Sequence, residues 1–133
     1  MNDEEEALAA NAAFYAAFAA SDAERMDAVW ARRAPVACVH PGWEVLVGRD
    51  PVMESWRRMF ETGGAPPILC EKAVAHLLGP SAFVTCLERV PGAVLVATNV
   101  FVREEGRFRM VHHHAGPLTR AAPARPPPRS DVN

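Results

Sequence analysis

The spacing of apolar residues changes along the chain from a helical repeat to a strand-like one. Three stretches in the first half repeat apolar residues every three to four positions, which predicts helices over residues 4–20, 22–30 and 51–62. Asp22 and Asp50 offer side-chain oxygens that can cap the second and third helices. A short strand is predicted between these two helices, over residues 36–40.

From residue 68 onward, apolar and polar residues alternate, which is typical of strands. Pro91-Gly92 fits the centre of a type II turn, and Glu105-Gly106 fits a tight hairpin turn in which glycine supplies a positive φ. The sequence therefore predicts an α+β domain in which three N-terminal helices pack on a curved, mixed and mostly antiparallel sheet. The long strands are predicted over residues 68–78, 82–90, 93–103 and 107–115.

The two turns also predict which residues share a face of the sheet. If both loops contain two residues, counting outward places Asn99 opposite Val84 on one neighbouring strand and opposite His112 on the other. The same face is then expected to contain Cys86, Glu88, Ala97, Phe101, Met110 and His114. The other face is expected to be rich in valine and to contain Thr85, Leu87, Val94, Val96, Thr98, Val100, Val102, Val111 and His113. A one-residue error in either turn would exchange the two faces.

The valine-rich face needs a cover that the chain itself does not supply. Three helices cannot cover both faces of the sheet, and an exposed apolar patch of that size is unusual in a monomer. A second copy of the chain is the simplest partner. We therefore predict a homodimer that packs through this face.

Length and composition favour one domain. The chain has 133 residues, of which 50% are hydrophobic, and this is enough for one core but not for two. Residues 1–118 are assigned to the domain. Residues 119–133 are rich in proline and arginine and have no periodic apolar pattern, so they are predicted to form a disordered tail.

Charge and cysteine content exclude several classes of partner. The 14 basic and 16 acidic residues are interspersed, so no basic stripe is available for nucleic acid. No apolar run approaches the ~20 residues that cross a bilayer, and the chain begins with acidic residues, which predicts a cytoplasmic protein without membrane contact. The three cysteines lie far apart and are expected to be reduced and buried.

A series of short motifs follows the order of the predicted elements through residues 4–118. The motifs are His40-Pro41-Gly42 after the first strand, Gly48-Arg49-Asp50 before a helix containing Trp56, and His112-His113-His114-Ala115 on the last strand. Their order resembles the SnoaL-like branch of the nuclear-transport-factor-2-like superfamily. The resemblance implies a cystatin-like cone that encloses a pocket and often dimerises through the outer face of its sheet. Members range from isomerases, cyclases and dehydratases to the association domain of calcium/calmodulin-dependent kinase, so the fold alone does not determine the function.

Three positions differ from the steroid-isomerase members of that superfamily. The position that resembles the catalytic aspartate is His40, and the position that resembles the second, acidic donor is Asn99. Phe14 takes the position of the tyrosine donor, with Tyr15 one residue later and turned about 100° away around the helix. We therefore do not expect isomerase chemistry in its usual form.

The polar residues of the predicted pocket still support a hypothesis of proton transfer on a small apolar carbonyl compound. His40 would be the base, Asn99 and His112 the hydrogen-bond donors, and Glu88 would orient a histidine. Trp43 follows the strand in a loop where it can stack on a flat ligand. The further residues assigned to ligand contact are Tyr15, Trp30, Trp56 and His114, although Trp30 and Trp56 also occupy positions typical of a core.

Two alternatives stay open. The polar groups can satisfy one another in a domain that only associates, as in the kinase association domain. His112 and His114 also form a His-x-His pair that can supply two ligands to zinc or iron, with Glu88 or His40 as a third. The arrangement lacks a close acidic ligand, so no metal and no other cofactor is assigned.

Overall fold

The structure is a computed structural model that describes residues 1–124. Three helices and six strands follow one another along the chain, and the predicted helices and long strands are confirmed within a residue or two. The helices are α1 (Asp3–Ala19), α2 (Ala23–Val29) and α3 (Arg49–Glu61). The strands are β1 (Ala37–Val39), β2 (Leu46–Val47), β3 (Leu69–Leu78), β4 (Ser81–Val90), β5 (Ala93–Glu104) and β6 (Arg107–Pro117).

Local side-chain chemistry explains how the helices begin. Asn2 and Glu5 form a reciprocal capping box at the start of α1, and Asp22 accepts a hydrogen bond from a backbone N–H of α2. The predicted cap by Asp50 is wrong, because α3 begins at Arg49, two residues before the predicted start, and its cap position is Gly48. Asp50 instead lies in the first turn, where its charge is favourable to the helix dipole.

The six strands form one sheet in the order β2-β1-β6-β5-β4-β3. All pairs are antiparallel except β1 with β6, so the predicted mixed, mostly antiparallel sheet is confirmed. The helices lie against the concave side of this unclosed sheet, and their apolar side chains fill it. The largest buried side chains of this core are Phe14, Met26, Trp30, Trp56, Phe101 and Met110.

The predicted register is correct from β4 through the first half of β6 and is wrong beyond that point. Asn99 pairs with Val84 as expected, but on the other side it pairs with His113 instead of His112. The cause is a register shift between Val100 and Phe101, where the facing strand contains the extra residue Val111. Because successive side chains point to opposite faces, one extra residue moves every later side chain to the other face.

The convex side of the sheet, which we call the outer face, is apolar across its centre. It contains no Asp, Glu, Lys or Arg on the central strands between Arg89 at one end and Arg109 at the other. Val96 is 42% exposed, His114 is also exposed, and the other residues of this surface are partly buried. The outer face is formed by Phe83, Thr85, Leu87, Val94, Val96, Thr98, Val100, Val102, His112 and His114.

Beyond the sheet, residues 119–124 form no helix or strand. The rest of the predicted tail, residues 125–133, lies outside the described residues, and the assignment of one domain to residues 1–118 stays a prediction. Among the residues described, no helix is long and apolar enough to cross a membrane.

Candidate functional site

A network of polar side chains occupies the centre of the concave side. Tyr15 donates a hydrogen bond to Glu88 Oε2 at 2.6 Å, and Asn99 Nδ2 lies 3.1 Å from the Tyr15 hydroxyl. Asn99 Nδ2 also donates to Asn11 Oδ1 at 2.8 Å, and Asn99 Oδ1 lies 2.6 Å from His113 Nδ1. Because an amide oxygen only accepts, Nδ1 of His113 carries the proton. Each of the five residues is at most 5% exposed.

Four elements bring these side chains together. Asn11 and Tyr15 are four residues apart on α1 and therefore project from one side of the helix. Glu88 comes from β4 and Asn99 from β5, both on the inward parity of the sheet. The bulge in β6 adds His113 to the same face. Helix and strand geometry thus brings five residues from four elements into one hydrogen-bonded network.

Burial strongly perturbs the titration of this network. Desolvation raises the pKa of Glu88, and burial together with the neighbouring Glu88 carboxyl raises the pKa of the Tyr15 phenol. Burial, and then the neighbouring His40, lowers the pKa of His113 to about 3. His113 Nε2 lies 3.9 Å from Glu88 Oε2, too far for a hydrogen bond. The surroundings therefore favour the uncharged forms of all three groups.

The depressed pKa of His113 predicts a pH dependence of stability. The unfolded chain binds a proton near pH 6.5 and the folded chain only near pH 3, so stability falls as the pH drops between these values. His113→Asn keeps a donor near the Nδ1 position and removes this titration. We expect the parent to lose about 3 kcal/mol relative to H113N between pH 7 and pH 4. Denaturant unfolding at fixed protein concentration measures this difference, and parallel pH profiles would contradict the assignment.

His40 lies beside the network, at the end of β1, and is 3% exposed. Its Nε2 is 2.9 Å from Ser55 Oγ, and this hydroxyl donates its only proton to the carbonyl of Val52 at 2.7 Å. Nε2 therefore donates to Ser55, and Nδ1 retains a lone pair. The ring packs edge-on against Trp43 and Trp56, at centroid distances of 5.0 and 4.8 Å. Burial lowers the pKa of His40, which favours the neutral, basic form.

A groove opens to solvent next to His40, between α3 and the loop that follows β1. Its volume is about 500 Å³ and its walls are mainly apolar. Ser55, the hydrogen-bond partner of His40, forms part of the floor, and Trp43 is 55% exposed at the edge. The groove is lined by Trp43, Leu46, Pro51, Glu54, Ser55, Arg58, Met59 and Thr62.

The structure divides the predicted site residues among four places: the buried network, the surroundings of the groove, the outer face and the core. Tyr15, Glu88 and Asn99 lie together in the buried network, whereas His40, Trp43 and Trp56 lie together beside the groove. The predicted inward placement of His112 and His114 is wrong, because the bulge at Val111 turns both to the outer face. Trp30 is fully buried where its backbone pairs with Met110, among the core residues.

The sequence pattern does not predict three residues of the site. It places His113 on the outer face, and it does not mark Asn11 or Ser55 as functional residues. One signal in the sequence indicates that His113 faces inward. Met110 and Ala115 are five positions apart on the same strand, and both residue types suit the interior, where both are buried. Two inward residues at an odd separation require an irregularity in the strand between them.

Within residues 1–124 no group of three or more His, Cys, Asp or Glu side chains is arranged to hold a metal ion. The cysteines do not form such a group either. Cys70 Sγ accepts a long hydrogen bond from Asn11 at 3.6 Å, and Cys86 Sγ lies 3.2 Å from the Tyr15 hydroxyl. All three cysteines are free thiols, and Cys70 is the one that is only partly buried.

Comparison with known proteins agrees with this architecture. Residues 7–119 match the SnoaL-like domain, and the chain belongs to this family. A proposed dehydratase of the NTF2-like family from Streptomyces avermitilis is 32% identical, with a TM-score of 0.80, over 89% of this chain and 97% of that one. The expected cystatin-like, NTF2-like fold is thus confirmed.

Two further relatives have different descriptions. A proposed association domain of calcium/calmodulin-dependent protein kinase type II from Thiobacillus denitrificans is 39% identical, with a TM-score of 0.74, over 84% of this chain and 94% of that one. The F-box protein SKIP8 from Arabidopsis thaliana is 27% identical over 110 residues, which are 81% of this chain. The match spans about half of that plant protein, 48% of its length. The relatives therefore include both a proposed enzyme and a proposed association domain.

Proposed function

We propose that this protein is a self-association module that pairs with a second copy through the outer face. The observation that carries the proposal is the charge-free, apolar centre of that face, on strands whose other side already packs against the helices. Burial of exposed apolar surface, such as that of the valines of this face, stabilises an assembly by roughly 25 cal/mol per Å² of surface removed from water. A second copy offers the same surface, so two-fold pairing covers the outer faces of both copies at once.

The buried network supports association over catalysis. The amide nitrogen and the amide oxygen of Asn99 both form hydrogen bonds with neighbouring side chains, and the Tyr15 hydroxyl donates a hydrogen bond to Glu88. These groups face one another at 2.6 to 3.1 Å and are shielded from solvent. Polar groups that are satisfied in this way define one arrangement of a core. An oxyanion would have to break those bonds before it could use the same donors.

The similarity to a proposed association domain from Thiobacillus denitrificans, at 39% identity, is consistent with this role. The three free thiols favour a cytoplasmic setting for the association. Two is the smallest number of copies that covers the outer face.

Sedimentation equilibrium tests the proposal. At low micromolar concentration the purified protein should have at least twice the mass of the 14.5 kDa chain. A monomer mass up to the highest soluble concentration would contradict self-association.

A second candidate function is binding of a small apolar carbonyl compound beside His40. Two observations favour it: the apolar groove, whose lining includes Ser55, the hydrogen-bond partner of His40, and the free lone pair of His40 Nδ1. Neutral His40 would remove a proton from the carbon next to the carbonyl of the bound compound. The similarity to a proposed dehydratase is consistent with chemistry of this kind.

Deuterium exchange into cyclohexanone, an apolar carbonyl probe, tests this candidate. The protein should accelerate exchange at the carbon next to the carbonyl in D₂O, and His40→Gln should reduce the acceleration by roughly 10²-fold. His76→Gln is the matched control, because His76 stacks on Phe83 of the outer face, away from the groove. Equal rates for the parent and H40Q would remove His40 from the reaction.

A further inference from the structure

The bulge in β6 places two histidines side by side on the outer face. His112 and His114 are two residues apart on one strand, and their rings are separated by 6.1 Å between centroids, with an angle of 85° between planes. Two imidazoles on one tetrahedral zinc, each at ~2.0 Å, have centroids about 5 Å apart. His114 is exposed, so a small change of its side-chain torsion closes this difference.

The hydrogen bond of His112 prepares it as a metal ligand. Its Nδ1 lies 3.0 Å from the carbonyl oxygen of Ala37, on the neighbouring strand. A carbonyl only accepts, so Nδ1 carries the proton and Nε2 keeps its lone pair. Histidines that bind metals are commonly held in this way, with the second nitrogen donating to a carbonyl or carboxylate.

The pair lies near the middle of the outer face. β6 is the third strand in the order of six, next to the middle of the sheet. Its outward neighbours are small or β-branched, so the two rings project above them. These neighbours are Ala37 and Val39 on β1 and Thr98 and Val100 on β5.

One chain supplies only half of a coordination shell at this place. No third His, Cys, Asp or Glu joins the pair within residues 1–124. We propose that His112 and His114 of two copies together bind one zinc ion across the outer face. This inference rests on the proposed self-association, because a two-fold axis through the face brings an identical pair opposite the first. Four neutral imidazoles then satisfy the tetrahedral geometry of zinc.

Zinc chloride added to protein without an affinity tag tests the inference. Equilibrium dialysis should give on the order of one zinc per two chains. Sedimentation should show that zinc lowers the dissociation constant of the dimer by at least ~10-fold. His114→Asn should abolish both effects. H114N changes an exposed side chain, so its fold should be intact, as circular dichroism would verify. His76→Asn is the control, because it removes an isolated histidine from the same face.

The outcomes separate this inference from the proposed function. A dimer whose stability is unaffected by zinc overturns the zinc site and leaves the association standing. A protein that is monomeric with and without zinc overturns both. Zinc bound at one ion per chain, or bound equally by H114N, overturns the shared site, whereas dimerisation that appears only with zinc supports it.

Discussion

Replacement of Val100 by aspartate should separate the associated protein into monomers. Val100 lies at the centre of the outer face, opposite His112 on β6 and Phe83 on β4. In a two-fold interface the substitution places two carboxylates in an apolar contact, and burial of an unpaired charge costs several kcal/mol for each ion. We expect dimer dissociation to be favoured by at least ~10³-fold, which corresponds to about 4 kcal/mol. Sedimentation equilibrium of V100D and the parent measures this shift.

The matched control is Leu77→Asp. Leu77 is also an accessible apolar residue of the sheet, 46% exposed, but it pairs with the inward-facing Ala82 and thus lies on the concave side. L77D should keep the mass of the parent. If V100D stays associated, or if L77D dissociates to the same extent, the outer face is not the contact surface.

Replacement of Asn99 by leucine should lower the free energy of unfolding by about 3 to 5 kcal/mol. Leucine has nearly the shape of asparagine but forms no hydrogen bond. Asn11 Oδ1 would lose its donor, His113 Nδ1 its acceptor and the Tyr15 hydroxyl a contact, all without access to water. Removal of one partner from a buried group leaves the full desolvation penalty of the others. Urea unfolding of N99L and the parent at the same protein concentration measures the loss.

Thr119→Val provides the comparison for N99L. Thr119 follows β6, is exposed, and belongs neither to the network nor to the outer face. T119V should change the free energy of unfolding by no more than ~0.5 kcal/mol. A loss of less than about 1 kcal/mol in N99L would mean that the network contributes little to folding.

The pairing register of the strands is predictable where the glycine turns and the alternation of apolar and polar side chains indicate the same register. Gly92 and Gly106 both adopt positive φ in two-residue loops, which set the pairing of Val90 with Ala93 and of Glu104 with Arg107. The bulge at Val111 was not predictable from the turn alone. It precedes three consecutive histidines, and a run of identical residues has no alternation from which an inward parity can be recognised. The two-residue strand β2 is likewise too short to show a period.

The sequence predicts several residues of the candidate site, but it does not predict how they are arranged in space. The sequence placed Asn99 and Glu88 on the inward face, which the pairing of β4 and β5 bears out. Helix geometry predicts that Tyr15 points about 100° away from Phe14 around α1. Both are buried, because the concave side of the sheet covers a wide arc of α1. Such enclosure depends on sheet curvature, which no local pattern in the sequence specifies.

The most direct test of the central claim is the rate of alkylation of a cysteine placed on the outer face. In Thr98→Cys the new thiol lies at the centre of that face, and in Ala12→Cys it lies on the exposed side of α1. Peptide mapping by mass spectrometry distinguishes each new thiol from the three native ones. Association through the outer face predicts that alkylation of T98C slows as protein concentration rises, while alkylation of A12C does not. Equal rates at all concentrations for T98C would contradict the account.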